Sequence, residues 1–185
     1  MAFLDRLSPE ARRIGAVNTI AIEADGTTTG YNTDYTGFRN SLTQFLGTSR
    51  PALEALVLGT GGAAQAVRVA LNDMQVPFRF VSRTGGRKLH GTPVITYPEV
   101  SLGVTQLIIN TTPLGMKPDT HTRPDLPYEQ LGSEHFLFDL VYNPEETQFL
   151  KAGKERGAAT QNGLPMLHGQ AEAAWQIWQE VIEKS

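Results

Sequence analysis

A short apolar segment that runs directly into a glycine-rich turn limits this chain more than any other part of its sequence. Residues 55–58 read Ala-Leu-Val-Leu, and residues 59–64 read Gly-Thr-Gly-Gly-Ala-Ala. The turn fits the pattern G-x-G-x-x-G/A, with the strand before it and the helix after it that this pattern requires. Gly59 permits the tight turn, Gly61 lets the backbone approach a pyrophosphate, and Ala64 permits close packing of helix on strand. The segment predicts a dinucleotide site; the alternative is a glycine-rich turn that binds no ligand.

After residue 51, strand and helix patterns alternate along the chain. We predict strands over 55–58, 78–82, 94–96, 106–110 and 136–141, and helices over 63–74, 144–156 and 166–183. Such alternation predicts parallel strands joined by right-handed crossovers, so the expected fold class is α/β, a Rossmann-type three-layer parallel sheet. Residues 85–92 are too few and too rich in glycine for a crossover helix, so one face of the sheet should be thinner there.

The first 50 residues have a different organisation. We predict a short helix over 9–14, two strands of a hairpin over 16–22 and 27–31, and a helix that begins at about Asp34. Residues 47–51 read Gly-Thr-Ser-Arg-Pro, which predicts a linker and a boundary near Arg50.

The end of the second strand after the linker carries cations where an acidic residue would favour NAD. Residues 82–88 read Ser-Arg-Thr-Gly-Gly-Arg-Lys. A guanidinium binds phosphate through two parallel hydrogen bonds and can stack on adenine, so Arg83 and Arg87 favour NADP. The alternative is a solvated basic loop.

Length and composition exclude several classes of protein. The chain has 185 residues, 40% of them hydrophobic, which suits one ordinary α/β domain with a small satellite. Its net charge of −3 gives no general attraction to nucleic acid or anionic membranes. It has no cysteine, and its four histidines lack close metal-ligand spacing, so we predict no metal site. No apolar run has the length of a membrane helix, and we expect a cytoplasmic protein.

Further polar residues each have an ordinary structural interpretation. Asp34 would cap the helix that follows it, Asn18 would begin a strand, and Gln170 would lie on the surface of the last helix. Residues 110–116 read Asn-Thr-Thr-Pro-Leu-Gly-Met and follow a predicted strand at the carboxyl edge of the sheet. Open α/β sheets bind ligands at that edge, although a plain proline-containing loop is the alternative.

Six motifs in one order resemble the shikimate dehydrogenase family. They are Gly-Ala-Val-Asn-Thr at 15–19, Asn-Thr-Asp at 32–34, the turn at 59–64, the loop at 110–116, Asp-Leu-Val-Tyr-Asn-Pro at 139–144, and Asn162-Gly163 with Met166-Leu167 and Gln170. The resemblance covers nearly the whole chain. It implies an NADP-dependent oxidoreductase that reversibly reduces 3-dehydroshikimate to shikimate in aromatic amino-acid biosynthesis.

The resemblance also implies roles for single residues. Asp34 matches an aspartate that works with a lysine in proton transfer at the reacting hydroxyl, so it is the expected catalytic residue. The expected substrate-binding residues are Asn18, Thr19, Tyr142 and Gln170. The expected NADP-binding residues are Gly59, Gly61, Gly62, Ala63, Ala64, Ser82, Arg83, Thr84, Arg87, Asn110, Thr111, Thr112, Pro113, Met116, Leu140 and Gly163.

The chain departs from the family pattern near its beginning. Family members carry several strands ahead of the motif at 15–19, including two serines that hold the substrate carboxylate and the catalytic lysine, whereas the first lysine here is Lys88. We therefore expect residues 1–50 to be a remnant of the substrate domain and 51–160 the NADP domain. Residues 161–185 are expected to form a helix that returns to the substrate domain.

Three hypotheses about function follow from this departure. The chain is a dehydrogenase whose missing N-terminal half comes from elsewhere, an NADP-binding module without turnover, or a related dehydrogenase for quinate or another cyclic hydroxy acid. The hairpin edge and the apolar side of the last helix, on which we place Ala174, Trp175 and Trp178, should be exposed. We therefore expect a homodimer, or association with the N-terminal half.

Overall fold

The computed structural model describes residues 3–47, 53–103 and 105–183, and its strands form two sheets. The strands are β1 (Arg6–Leu7), β2 (Thr19–Ile22), β3 (Thr28–Tyr31), β4 (Ala55–Leu58), β5 (Phe78–Val81), β6 (Arg87–Leu89), β7 (Thr92–Ile95), β8 (Leu107–Asn110), β9 (Phe136–Asp139) and β10 (Ala159–Gln161). The helices are α1 (Pro9–Ile14), α2 (Thr33–Leu46), α3 (Gly62–Asp73), α4 (Gln148–Glu155) and α5 (Leu164–Glu183). Most of the predicted linker, with the predicted boundary near Arg50, lies outside the described residues.

Seven strands form the larger sheet, in the order β10-β9-β8-β4-β5-β7-β6. Neighbouring strands run parallel except for β6, which is antiparallel to β7. Every residue of β4 is buried, because helices cover both faces of a parallel sheet. The same constraint explains the unbroken apolar sequence of this strand. The predicted α/β class with a Rossmann-type parallel sheet is confirmed.

Separate apolar clusters join the helices to the two faces of this sheet. On one face, Phe38 of α2 and Val67 of α3 belong to a cluster with Val57 of β4. On the other face, Phe149 of α4 belongs to a cluster with Leu56. Successive residues of β4 therefore enter opposite clusters, as the alternation of a strand requires. The result is a three-layer arrangement with β4 at its centre.

The connection between β5 and β7 has the short form that the sequence predicts. Residues 82–91 contain β6 rather than a helix, and β6 forms a hairpin with β7. The prediction that residues 85–92 are too short for a crossover helix is confirmed. The strand itself was not predicted, and it places Arg87 in a ladder position opposite Val94.

The smaller sheet has three strands in the order β1-β3-β2. The predicted helix over 9–14 is confirmed, with Ser8 as the N-cap whose side chain accepts a hydrogen bond from the Ala11 N–H at 3.1 Å. The predicted hairpin is also confirmed as the antiparallel pair β2 and β3.

One predicted helix cap and one predicted helix start are wrong. α2 is capped by Asn32, whose side chain accepts from the Tyr35 N–H, so Asp34 is the second helical residue and not the cap. α4 begins at Gln148 instead of Pro144, because the Thr147 side chain accepts from the Leu150 N–H and caps the helix there.

α5 divides its apolar residues between the interior and the surface. Trp175 and Trp178 are 56% and 42% exposed, as predicted for this side of the helix, whereas the prediction is wrong for Ala174, which is buried. Ile20 and Ile22 of β2 are also exposed, as expected for the hairpin.

None of the described helices is both long and apolar enough to cross a membrane.

α2 and α5 cross with almost no side chain between them. A Cβ at Gly37 would lie 2.5 Å from the Met166 carbonyl oxygen and 2.8 Å from the Gln170 nitrogen. A Cβ at Gly169 would lie 3.2 Å from the Gly37 Cα. The two glycines therefore permit backbone contact between the helices, and this contact fixes where Gln170 lies.

We expect Gly37→Ala to lower the free energy of unfolding by about 1–3 kcal/mol, because the added methyl must push the helices apart. Urea denaturation followed by circular dichroism measures this change. Gly103→Ala is the control, since the nearest atom to its Cβ would be 4.0 Å away. Equal stability of the two variants would contradict the close crossing.

Candidate functional site

The glycine-rich turn after β4 lies at the carboxyl edge of the larger sheet. Gly59 has a φ of +104°, which side chains rarely allow, and its N–H donates to the Val81 carbonyl at 2.8 Å. A Cβ there would also lie 2.8 Å from Thr111 Oγ1. That hydroxyl donates to the Leu58 carbonyl at 2.7 Å. The turn is thus fixed against both neighbouring strands.

The next two glycines have a different surrounding. A Cβ at Gly61 or Gly62 would meet no heavy atom within 4 Å, so protein packing does not require glycine at either position. Gly61 is the N-cap of α3 and contributes no capping side chain. The first N–H groups of α3 consequently face an uncovered space, which suits an anion. Ala64, by contrast, is fully buried where α3 meets the sheet.

A cavity of about 540 Å³ lies on one side of the loop that follows β8. It is lined by Gly59, Thr60, Val81, Ser82, Arg83, Tyr97, Thr112, Pro113, Leu114, Arg123 and Asp125. We call this the first cavity. It brings the predicted Ser82 and Arg83 to the glycine-rich turn, whereas Thr84 and Arg87 are exposed and lie outside its lining.

A second cavity of about 450 Å³ lies on the other side of the same loop. It is lined by Thr111, Thr112, Pro113, Met116, Lys117, Leu140, Val141, Tyr142 and Asn143. Thr112 and Pro113 belong to both linings, so the loop separates the two cavities. A long ligand that crosses the turn at 59–62 would have room on both sides of it.

The buried side chain of Asn110 holds the loop between the cavities in place. This residue is fully buried, and its Oδ1 accepts from the Thr112 N–H at 3.0 Å and from the Thr112 hydroxyl at 2.6 Å. Its Nδ2 donates to Asp139 Oδ1 at 2.9 Å. The side chain of Asn110 therefore lies beneath the cavities, not on their surface, and reaches a ligand only through Thr112.

Asp139 is a buried carboxylate at the centre of this network. Besides Asn110, it accepts from the Val141 N–H at 3.0 Å and from the Thr147 hydroxyl at 2.6 Å. Burial raises its pKa to about 6, although the hydrogen bonds from Thr147, Val141 and Asn110 act in the opposite direction. Asp139 thus joins the loop between the cavities to the one at 140–147.

Gly163 fits closely against that second loop. It is buried, and a Cβ at this position would overlap the backbone carbonyl of Leu140. Its N–H donates to the Val141 carbonyl at 3.1 Å. The structure therefore gives Gly163 a packing contact with the wall of the second cavity, and places Leu140 and Tyr142 on that wall.

A separate polar cluster forms where the hairpin, α2 and α5 meet. Asn18 Oδ1 accepts from the Thr33 N–H at 2.9 Å and from the Thr19 hydroxyl at 3.1 Å. The Thr33 hydroxyl lies 3.2 Å from Gln170 Oε1. Asp34 is partly buried, and this burial raises its pKa while a hydrogen bond from the Asn18 side chain lowers it. The predicted Asn18, Thr19, Asp34 and Gln170 are therefore brought together.

Sequence reasoning missed several residues of these sites. Thr33 is the link in the polar cluster, and Lys117, Arg123 and Asp125 line the cavities. Thr33 belongs to the motif at 32–34 and Asp139 to the motif at 139–144, so the sequence contained a signal for both residues. The other three stand in a loop without a periodic pattern. Within the described ranges, no group of three or more potential ligands could hold a metal ion.

The sheet, the glycine-rich turn and the paired cavities define a Rossmann-type α/β protein. No family model matches the chain. It is 42% identical over 188 residues to the NADP-dependent shikimate dehydrogenase of Clostridium beijerinckii, a match that covers 97% of this chain and 67% of that protein. The chain belongs to the shikimate dehydrogenase family. It spans about two thirds of the length of the curated relatives it matches.

Solved structures show the same relationship. Shikimate 5-dehydrogenase from Thermus thermophilus, in complex with NADP(H) and shikimate, is 38% identical with a TM-score of 0.82, over 96% of this chain and 67% of that one. Quinate dehydrogenase from Corynebacterium glutamicum, in complex with NAD, is 28% identical with a TM-score of 0.85, over 96% of this chain and 67% of that one. Both proteins therefore share the fold of this chain.

Between pH 4 and pH 7, we expect the free energy of unfolding of wild type to fall by up to about 3 kcal/mol more than that of Asp139→Asn. Folding raises the pKa of Asp139 from 3.8 to about 6. The stabilisation by its protonated carboxyl is therefore complete below pH 3.8 and is lost as the pH rises through 6. The asparagine does not titrate. Urea denaturation across this pH range measures the difference.

The control for this experiment is Asp119→Asn, at an exposed position of the chain. Its pH profile should follow that of wild type. Parallel profiles for wild type and Asp139→Asn would show that burial does not raise the pKa of Asp139.

Proposed function

We propose that the chain binds NADP and catalyses the reversible reduction of 3-dehydroshikimate to shikimate. The observation that carries this proposal is the polar cluster of Asn18, Thr33, Asp34 and Gln170, which joins residues 18–34 to a residue of α5 that is 137 positions from Thr33 in sequence. The relatives support the same function, because the Clostridium beijerinckii protein is a shikimate dehydrogenase that uses NADP.

The residues around the turn fit a dinucleotide phosphate. Gly61 and Gly62 leave the N-terminus of α3 open to a pyrophosphate, and Arg83 presents a guanidinium to the first cavity. Thr112 and Pro113 contact both cavities, so they would lie against the middle of the cofactor. When bound, NADP supplies the nicotinamide that exchanges hydride with the substrate.

The polar cluster fits a polyhydroxylated substrate. Asn18 and Gln170 are amides, which can donate to and accept from hydroxyl groups. The raised pKa of the Asp34 carboxyl, caused by burial, makes it a better proton acceptor than an exposed aspartate. In this proposal Asp34 takes the proton of the reacting hydroxyl, while Thr33 holds Asn18 and Gln170 in place.

Quinate is a second candidate substrate, favoured by the structural likeness to quinate dehydrogenase. Arg83 in the first cavity favours NADP over NAD, because a 2′-phosphate needs a cation there.

We also propose that the chain divides into residues 1–50, 51–160 and 161–185, and that it is located in the cytoplasm. The separate three-stranded and seven-stranded sheets support the first boundary.

We expect calorimetric titration to show NADP⁺ binding at least tenfold tighter than NAD⁺, followed by reduction of NADP⁺ when shikimate is added. Asp34→Asn should lower kcat by about a hundredfold to ten-thousandfold and leave the Kd for NADP⁺ unchanged, because the carboxylate acts on the substrate proton. Absorbance of the reduced nicotinamide measures turnover. Asp119→Asn, outside both cavities, should behave like wild type.

The alternatives have distinct outcomes in the same experiment. NADP⁺ binding without turnover by wild type would indicate a nucleotide-binding module. Faster turnover with quinate than with shikimate would indicate the second candidate. Failure to bind either nucleotide would overturn the assignment of the turn and of Arg83.

We further propose a homodimer through the exposed apolar residues of β2 and α5. Three apolar side chains on these elements are largely exposed: Ile22 at 67%, Trp175 at 56% and Ile182 at 69%. Trp178 Nε1 donates to the Ile20 carbonyl at 3.0 Å, so the two elements form one surface.

Light scattering over a concentration series should show a dimer or larger species. Ile22→Lys should shift it to monomer, whereas the control Gln44→Lys, at an exposed position of α2, should not. A monodisperse wild-type monomer would exclude the dimer.

A further inference from the structure

The segment at 123–126 presents two charged side chains to the first cavity. Pro124 and Leu126 are buried, whereas Arg123 and Asp125 are exposed and line the cavity. This alternation is that of an extended chain, in which residues two apart project from the same face. A hydrogen-bond donor and an acceptor therefore stand side by side on one wall of the cavity.

Tyr128 holds this segment in place. Its hydroxyl donates to the Pro124 carbonyl at 2.8 Å, and its N–H donates to the Leu126 carbonyl at 2.9 Å. The Arg123 guanidinium lies over the Tyr128 ring, 4.1 Å from the centroid. One face of the guanidinium is thus occupied by the phenol ring, and its position is set before any ligand binds.

Other residues of the cavity lining carry different chemistry. Thr60 belongs to the turn that faces a pyrophosphate, and Ser82 and Arg83 follow the second strand of the nucleotide fold. A carboxylate repels phosphate, so Asp125 must face a part of the ligand that carries no negative charge. In a dinucleotide phosphate, the base of the adenosine is such a part, and its exocyclic amine is a donor.

We propose that Asp125 accepts a hydrogen bond from the exocyclic amine of adenine, while Arg123, backed by Tyr128, packs against the base. This inference rests on the proposed binding of NADP and assigns the recognition of its base. The arrangement selects against a base with a carbonyl at that position, because the carbonyl oxygen would face the carboxylate. Arg83 remains the residue for the phosphate.

The test compares NADP⁺ with its hypoxanthine analogue, in which an oxygen replaces the exocyclic amine. We expect wild type to bind NADP⁺ about tenfold more tightly than the analogue, as for a hydrogen bond to a charged group. Asp125→Ala should abolish this preference, because NADP⁺ loses its hydrogen bond and the analogue loses the repulsion between its carbonyl oxygen and the carboxylate. Calorimetric titration measures each Kd without any need for turnover.

Three further variants make the result specific. Asp119→Ala removes a carboxylate from the same loop and should preserve the preference. Arg83→Gln should weaken both nucleotides equally, because they share the phosphates. Asp125→Asn keeps the size of the side chain and offers both a donor and an acceptor, so it should bind the two nucleotides about equally even if the alanine variant fails to fold.

The outcomes separate this inference from the function on which it rests. If wild type binds neither nucleotide, the proposed function fails. If wild type binds both nucleotides equally, or if Asp125→Asn retains the tenfold preference, the assignment of Asp125 is overturned while NADP binding stands.

Discussion

Helices α2 and α5 meet backbone to backbone, and the arrangement of the candidate site depends on that contact. Gly37 and Gly169 let the helices approach, which brings Gln170 to Thr33. One end of α5 is fixed in a similar way, because Gly163 lies directly against Leu140 at the second cavity. From Gly163 to Gln170 the helix advances about 10 Å, which sets the separation of that cavity from the polar cluster. Two contacts without side chains therefore fix the relative positions of the two halves of the site.

A second constraint lies beneath the cavities. The loops that line them are both attached to Asp139, through Asn110, Val141 and Thr147. Burial of a carboxylate is unfavourable, and three donors offset part of that cost. A neutral apolar residue would avoid the cost but would leave those donors without an acceptor. Asp139 is thus explained by the positions of the loops and not by contact with a ligand.

The sequence predicts the sheet and the turn well because both depend on local pattern. Residues 55–64 carry their own periodicity and glycines, and α3 follows them as predicted. The start of α4 failed because proline is a common first helical residue, while the actual cap at Thr147 is held by a bond to distant Asp139. Arg123 and Asp125 alternate with two apolar residues, but a four-residue pattern does not predict that their side chains line a cavity.

The elements that carry the two halves of the site differ in how much apolar surface they bury. The glycine-rich turn follows β4, every residue of which is buried at the centre of a seven-stranded sheet. In the polar cluster, Asp34 lies on α2, which packs against the larger sheet, whereas Gln170 lies on α5, where Trp175 and Ile182 are exposed. Local opening occurs most readily where fewest apolar groups are buried, so Gln170 should leave the cluster before the turn opens. Conditions that loosen α5 will therefore separate Gln170 from Thr33 and Asp34 while the nucleotide side of the fold stays intact.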